Sequence, residues 1–343
     1  MFKNINCKNL PSLRRNIVYQ FLYELLIVFI PLFTIPYVSR VLGAENIGLF
    51  SYTYAVANYF VLFANLGIKN YGSRTIAMVR NNKEELNRNF SEILSIHIIF
   101  SIIVIFVYLV LLFFFVEDNL VIFLIQSIYV FAAVFDINWF FFGIEKFKLT
   151  VGRNTLVKIL SVFLVLVFVK TQTDLWIYAL ILALSVFVGQ SVVWFALKQY
   201  VSWRRPSWAN MKQHIRPLFV LFLPILALSL YKYMDKIMLG SISSNVQVGF
   251  YENAEKIINV PMSLIMAFGV VLMPRIANMV TSKDKGEVFK LIDMSMEAVM
   301  LLAIAISFGL AGISFVLAPI FFGYEFEECG ILIMGLAVTV PFM

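Results

Sequence analysis

Four lysines of this chain stand where lysine is costly. Lys158, Lys232, Lys236 and Lys256 lie inside long apolar runs, together with Glu24, Asp136, Asp235, Glu252, Glu255, Asp293 and Glu297. An ionisable side chain at membrane depth costs a few kcal/mol unless it is paired, reaches the interface or faces a water-filled cavity. So many in one chain point to a polar lumen between helices. Cations there compensate an anion that must leave water, and carboxylates there can pick up and release an ion as the lumen opens to each side. Lys232 and Lys236 are four residues apart and share one helical face, with Asp235 beside them. With Arg40 at the end of the first apolar run and Lys158 on the fifth, they form the candidate anion-binding set. Asp136, isolated in an apolar run, and Glu24 are the candidate ion-coupling carboxylates. Each has a structural alternative. Glu252 and Lys256 have the spacing of an intrahelical pair, as do Lys232 and Asp235. Lys236 is near enough to the outer surface to snorkel, and Asp136 can bond to Asn138 or Trp139.

Catalysis and cofactors have no visible seat. There is no Asp-x-Asp, no His-Glu-x-x-His and no Gly-rich phosphate loop. Cys7 and Cys329 do not form a Cys-x-x-Cys, so no metal site is expected. His97, in an apolar run, reads as a hydrogen-bonded packing residue before a proton relay. His214 belongs to the basic stretch Lys198 to Arg216, which reads as an interfacial helix with Trp203 and Trp208.

The elements that must hold these residues are membrane helices. The 343 residues are 61% hydrophobic and 14% charged, with 35 Phe, far from the balance of a soluble domain. Apolar runs cover about 16–39, 47–68, 93–116, 120–142, 151–169, 175–197, 217–240, 248–273, 289–318 and 329–343. A helix needs roughly 20 apolar residues to span a bilayer, and these runs lack the alternating polarity of barrel strands. The last run is the shortest, which suggests that the chain stops inside a helix. The first is too long, and lacks the small-residue cleavage site, to be a removed signal peptide.

Orientation follows from the loops. Of 27 Lys and Arg, 21 fall at the N-terminus and in alternate loops on one side, and only Arg40 and Lys170 fall opposite. Cytoplasmic loops collect Lys and Arg, so the N-terminus is expected in the cytoplasm. The net charge of +7 is therefore an orientation signal with some attraction to anionic lipids, not a sign of nucleic-acid binding.

The chain also repeats itself. A shift of 201 residues brings Gly48, Asn58, Arg74 and Met78 onto Gly249, Asn259, Arg275 and Met279, and Leu42-Gly43 matches Leu239-Gly240 after a four-residue gap. Six spans separate the copies, so both run in the same direction. Parallel repeats related by an axis along the membrane normal are a transporter architecture. The expected domains are an N-terminal lobe, residues 1–200, and an incomplete C-terminal lobe, residues 201–343.

Three segments carry a family resemblance. They are Ile35-Pro-Tyr-Val-Ser-Arg-Val-Leu-Gly43 with Asn46-Ile-Gly-Leu-Phe-Ser51 and Leu66-Gly-Ile-Lys-Asn-Tyr-Gly-Ser-Arg74; Asp136-Ile-Asn-Trp-Phe-Phe-Phe-Gly-Ile-Glu-Lys146 with Arg153-Asn and Lys158; and Met234-Asp-Lys-Ile-Met-Leu-Gly240 with Val248-Gly-Phe-Tyr251 and Met273-Pro-Arg275. Phe322-Gly and Glu325-Phe fit the same pattern. In order and spacing the chain resembles the polysaccharide flippases (O-antigen type, Wzx) of the MOP exporter superfamily. The resemblance implies an all-α membrane protein of two parallel-repeat lobes, with about ten spans in this chain. It implies a transporter, not an enzyme, that carries undecaprenyl-pyrophosphate-linked oligosaccharides across the bacterial inner membrane for O-antigen or capsule assembly. Implied partners are that lipid-linked oligosaccharide, membrane lipids, a coupling proton or sodium ion, and the polymerase and chain-length proteins of the same pathway. An ion-coupled multidrug exporter of the same superfamily is the alternative within transport. A membrane-embedded polysaccharide polymerase or lipid-sugar transferase is the alternative in another class, though the outer loops are short for it.

Overall fold

The computed structural model describes the backbone of residues 10–281 and 285–342. It describes side chains from residue 32 onward except 147, 148, 264, 267–275, 277, 278, 280–285 and 287. Cys7 lies outside these residues, as does the side chain of Glu24. Among the described residues every regular element is helical: α1 Leu10–Asn65, α2 Ile68–Val79, α3 Lys83–Phe115, α4 Leu120–Val134, α5 Asn138–Gly143, α6 Phe147–Phe168, α7 Leu175–Leu197, α8 Trp208–Ile242, α9 Asn245–Thr281, α10 Lys285–Phe322 and α11 Cys329–Ala337. Among the described residues, seven segments are long and apolar enough to cross a membrane: Leu32–Val79, Lys83–Phe115, Leu120–Gly143, Leu149–Phe168, Gln172–Leu197, Trp208–Ile242 and Val288–Phe322. Cys329–Phe342 is a shorter apolar stretch. The molecule is an all-α polytopic membrane protein.

The breaks have local causes. The first two expected spans are one helical element, interrupted at Gly43 with φ 77° and ψ 171°, a conformation open to glycine and costly for other residues. Gly67, at φ 71°, turns the chain from α1 into α2. Asn82 starts α3 by accepting from the amides of Glu84 and Glu85 at 3.1 and 3.3 Å, the pattern that favours Asn at N-caps. The fourth expected span is divided into α4 and α5 at Phe135 to Ile137. The basic stretch after α7 is not a separate helix, because α8 begins at Trp208 and runs on through Pro217 and Pro224.

The described chain packs as two compact units. The described residues of the first are 10–30 and Phe50–Ile242. Its main core joins α2, α3, α5, the end of α7 and the start of α8 through Ile68, Ile76, Phe90, Trp139, Phe140, Leu218 and Phe222. The Phe90 and Trp139 rings stack at 5.6 Å. Small residues let the helices close: a Cβ on Gly72 would press into the Trp139 ring, and one on Gly143 into Ile76. Lipid is as apolar as these side chains, so close packing rather than burial from water holds such helices together. The outer faces carry exposed Phe106, Phe113, Phe114, Phe163 and Phe195, as a lipid-facing surface requires.

The second unit comprises Pro31–Leu49 and Ser243–Met343. Here the internal repeat has a physical meaning. A Cβ on Gly48 would overlap the Asn245 carbonyl, and one on Gly249 would overlap the Ala44 carbonyl. The 201-residue offset turns 44 into 245 and 48 into 249, so each contact is the other with the copies exchanged. Reciprocity of that kind marks a two-fold relation. Glycine is needed at both positions because backbone meets backbone. Beside this contact, the Asn253 amide donates to Ser39 Oγ at 2.9 Å in a buried site, and the Cys329 thiol donates to the Phe250 carbonyl at 3.2 Å.

Candidate functional site

Asp136 occupies the break between α4 and α5. Its Oδ1 accepts from the Asn138 backbone amide at 3.0 Å and from the Asn138 side-chain amide at 2.7 Å. An aspartate that bonds an amide two residues on offers the backbone an alternative to the helical ladder, which explains the local break. Asn138 is then used in full. Its Nδ2 also donates to Gln190 Oε1 on α7 at 2.8 Å, and its Oδ1 accepts from Arg153 Nη2 on α6 at 3.1 Å. Arg153 further donates to the Gly189 carbonyl, to Asn154 Oδ1 and, at 3.5 Å, to Gln190 Oε1. Helices α5, α6 and α7 and the break before α5 thus converge on a half-buried network carrying one carboxylate and one guanidinium. Arg153 lies on α6, within the expected run 151–169, and its charge is compensated by amide oxygens and a helix carbonyl. His97 is fully buried on α3, and neither of its ring nitrogens has a hydrogen-bond partner among the described residues. Its packing role is met, without the expected hydrogen bond.

The candidate cations separate. Lys158 is exposed on α6. On α8, Lys232 is exposed, with its Nζ 5.6 Å from the Tyr233 ring centroid, while Lys236 is buried at 8% exposure. The shared face inferred from their spacing therefore has two environments. Arg40, in the second unit, donates from Nη2 to the Ile320 carbonyl at 2.6 Å. Ile320 is among the last residues of α10, whose carbonyls have no intrahelical partner, and a cation there complements the helix dipole. Glu325, after the Gly323 turn at φ 108°, accepts from the Ala44 amide at 2.9 Å. Ala44 restarts the helix after Gly43, so its N–H is an orphan donor of the same kind. Arg40 thus caps the end of α10, and Glu325, in the turn after α10, caps the helix that restarts at Ala44. Glu252 and Lys256 form the expected pair at 3.1 Å.

A second buried cluster escaped the sequence reading. His214 on α8 has Nε2 2.9 Å from Glu92 Oε2 on α3 and Nδ1 2.6 Å from the Tyr71 hydroxyl on α2. Glu92 is 1% exposed and His214 3%. His214 is no interfacial residue: the first turns of α8 bury one face against α2 and α3, and the histidine lies on that face. Among the described residues, no group of three or more His, Cys, Asp and Glu could hold a metal ion.

Comparison with known proteins matches residues 13–280 to the family described as "Polysaccharide biosynthesis protein". The chain is 27% identical to a protein of Escherichia coli (strain K12) described as "Putative O-antigen transporter", over 98% of this chain and 81% of that protein. It is 24% identical to a Shigella dysenteriae protein of the same description, over 93% of this chain and 80% of that protein. No solved structure matches. The family match covers more than half of the chain, from the first expected span through the second copy of the repeat, and on that ground the chain belongs to the polysaccharide biosynthesis protein family.

Proposed function

We propose that the chain is a flippase for lipid-linked oligosaccharides. It carries undecaprenyl-pyrophosphate-linked repeat units from the cytoplasmic to the periplasmic face of the bacterial inner membrane, for O-antigen or capsule assembly. The observation that carries this reading is the likeness along 98% of the chain to a protein described as an O-antigen transporter. Charged side chains within apolar helices support it, since a sugar and two phosphates cannot cross hydrocarbon unaided.

In this reading the halves 1–200 and 201–343 work by alternating access, with the N-terminus in the cytoplasm and the polyprenyl tail left in the bilayer. Bends are available at Gly43, Pro217, Pro224 and Pro319. Lys158 and Lys232 are the first two members of the proposed anion-binding set. Lys236 and Arg40 belong to the same proposed set, Arg40 with one guanidinium nitrogen committed to α10. Asp136, with Glu24, is the proposed site of a coupling proton or sodium ion, and the Arg153 network holds Asp136 in place. The test is complementation. A strain lacking its own flippase, supplied with the matching assembly enzymes, should regain surface polysaccharide with this protein and lose it again with Lys158→Gln and Lys232→Gln together. No rescue by the wild type would overturn the proposal.

A further inference from the structure

A cleft of about 370 Å³ opens in the first unit where the α2–α3 turn, the α5–α6 turn and the segment after α7 meet. Arg80, Asn81 and Lys83 reach it from the turn between α2 and α3, Lys146 from the turn between α5 and α6, and Gln199 and Tyr200 from the segment after α7. The frame is fixed. The Lys146 amide donates to the Phe141 carbonyl at 2.9 Å, the Tyr200 amide to the Leu197 carbonyl at 3.0 Å, and the Tyr200 ring meets the Phe141 ring edge-on at 5.9 Å. Glu145 takes the left-handed conformation at φ 58° and brings its Oε1 within 2.6 Å of Arg80 Nη1.

We infer that this cleft binds the diphosphate and the first sugar of the lipid-linked substrate before transport, an inference that rests on the flippase reading. Three cations and one carboxylate leave a net charge of +2. A pyrophosphate esterified at both ends carries two negative charges, so the cleft neutralises it, whereas a phosphodiester headgroup carries one. Lysine and arginine give charge-assisted bonds to phosphate oxygens. Asn81 and Gln199 supply amide donors and acceptors, and Tyr200 a hydroxyl and an aromatic face, which are the groups that meet sugar hydroxyls and a pyranose ring. The volume lies in the range of small-ligand sites. All three cations lie at helix ends that the charge asymmetry assigns to the cytoplasmic side, where the proposed transport begins. The Arg80–Glu145 pair holds the guanidinium in place, so the net charge of the cleft is that of Lys83 and Lys146.

The test uses the full chain in detergent and two probes, farnesyl-diphospho-N-acetylglucosamine and phosphatidylglycerol. Each lysine contributes about tenfold in affinity through a charge-assisted bond. The double variant Lys83→Gln/Lys146→Gln is therefore expected to bind the diphosphate probe about a hundredfold more weakly. A control of equal charge loss on exposed residues away from the cleft, Lys212→Gln/Arg216→Gln, is expected to stay within about twofold. Phosphatidylglycerol should bind the wild type far more weakly than the diphosphate probe. Equal loss in both double variants, no loss in either, or equal affinity for phosphatidylglycerol would overturn the inference. Failure of the flippase reading looks different, because wild-type protein would then not restore surface polysaccharide whatever it binds.

Discussion

Replacing His214 with leucine leaves the Glu92 carboxylate at 1% exposure without its imidazole partner. Removing one member of a buried pair costs about 3–5 kcal/mol, because the remaining polar group has lost water and gained nothing. The Tyr71 hydroxyl also loses its partner at 2.6 Å. For a chain of this size, about 2 °C of melting midpoint corresponds to each kcal/mol, so the apparent midpoint in detergent should fall by about 6–10 °C. Glu92→Leu should act similarly, leaving His214 buried. The double variant is the decisive arm. With both groups gone only the Tyr71 hydroxyl remains polar at the contact between α3 and α8, and exchanging a buried pair for packed apolar groups is often neutral or stabilising. His214→Leu/Glu92→Leu should therefore melt higher than either single variant. Midpoints by intrinsic tryptophan fluorescence, with monodispersity checked by size exclusion, measure this. Single-variant losses under about 1 °C, or losses that simply add, would refute the reasoning.

Other outcomes follow from the same geometry. Gly48→Ala and Gly249→Ala each drive a Cβ into a backbone carbonyl, which overpacking places at about 1–3 kcal/mol, so both should lower the midpoint. Asp136→Asn retains an acceptor oxygen for the Asn138 amide whereas Asp136→Ala does not, so a purely structural Asp136 predicts normal transport in the Asn variant. The proposed ion-coupling role predicts a folded Asn variant, judged by its midpoint, that no longer responds to an ion gradient. Arg40→Ala and Glu325→Ala each remove a helix cap worth about 1 kcal/mol, so a fall of about 2 °C in either variant is expected.

The fold was legible where one physical rule dominates. Apolar runs locate helices because lipid leaves the backbone no other partner than itself, and the repeat was legible at Gly48 and Gly249 because backbone contact admits only glycine. The join at Gly43 was not, since a single glycine between apolar runs reads equally as a loop or a kink. Asp136 bonding Asn138 could be read from two positions of separation. The partners of Arg40 and His214 lie 280 and 122 residues away, and no local pattern encodes them. The basic stretch was misleading for His214, because a basic residue near a helix end is solvated in most chains and this one is internal. Glu92 gave a usable signal: it falls between Leu86, Phe90, Ile93 and Leu94, all on the buried face of α3.

The central claim is tested most directly in sealed proteoliposomes holding the purified chain and a fluorescent undecaprenyl-diphosphate oligosaccharide loaded in the outer leaflet, read by an impermeant lectin. The account predicts that lectin-accessible substrate falls with time as molecules cross inward, faster under an ion gradient, and slowly with Lys158→Gln/Lys232→Gln. Accessibility that stays at the level of protein-free vesicles, with folded protein and the gradient intact, would contradict it.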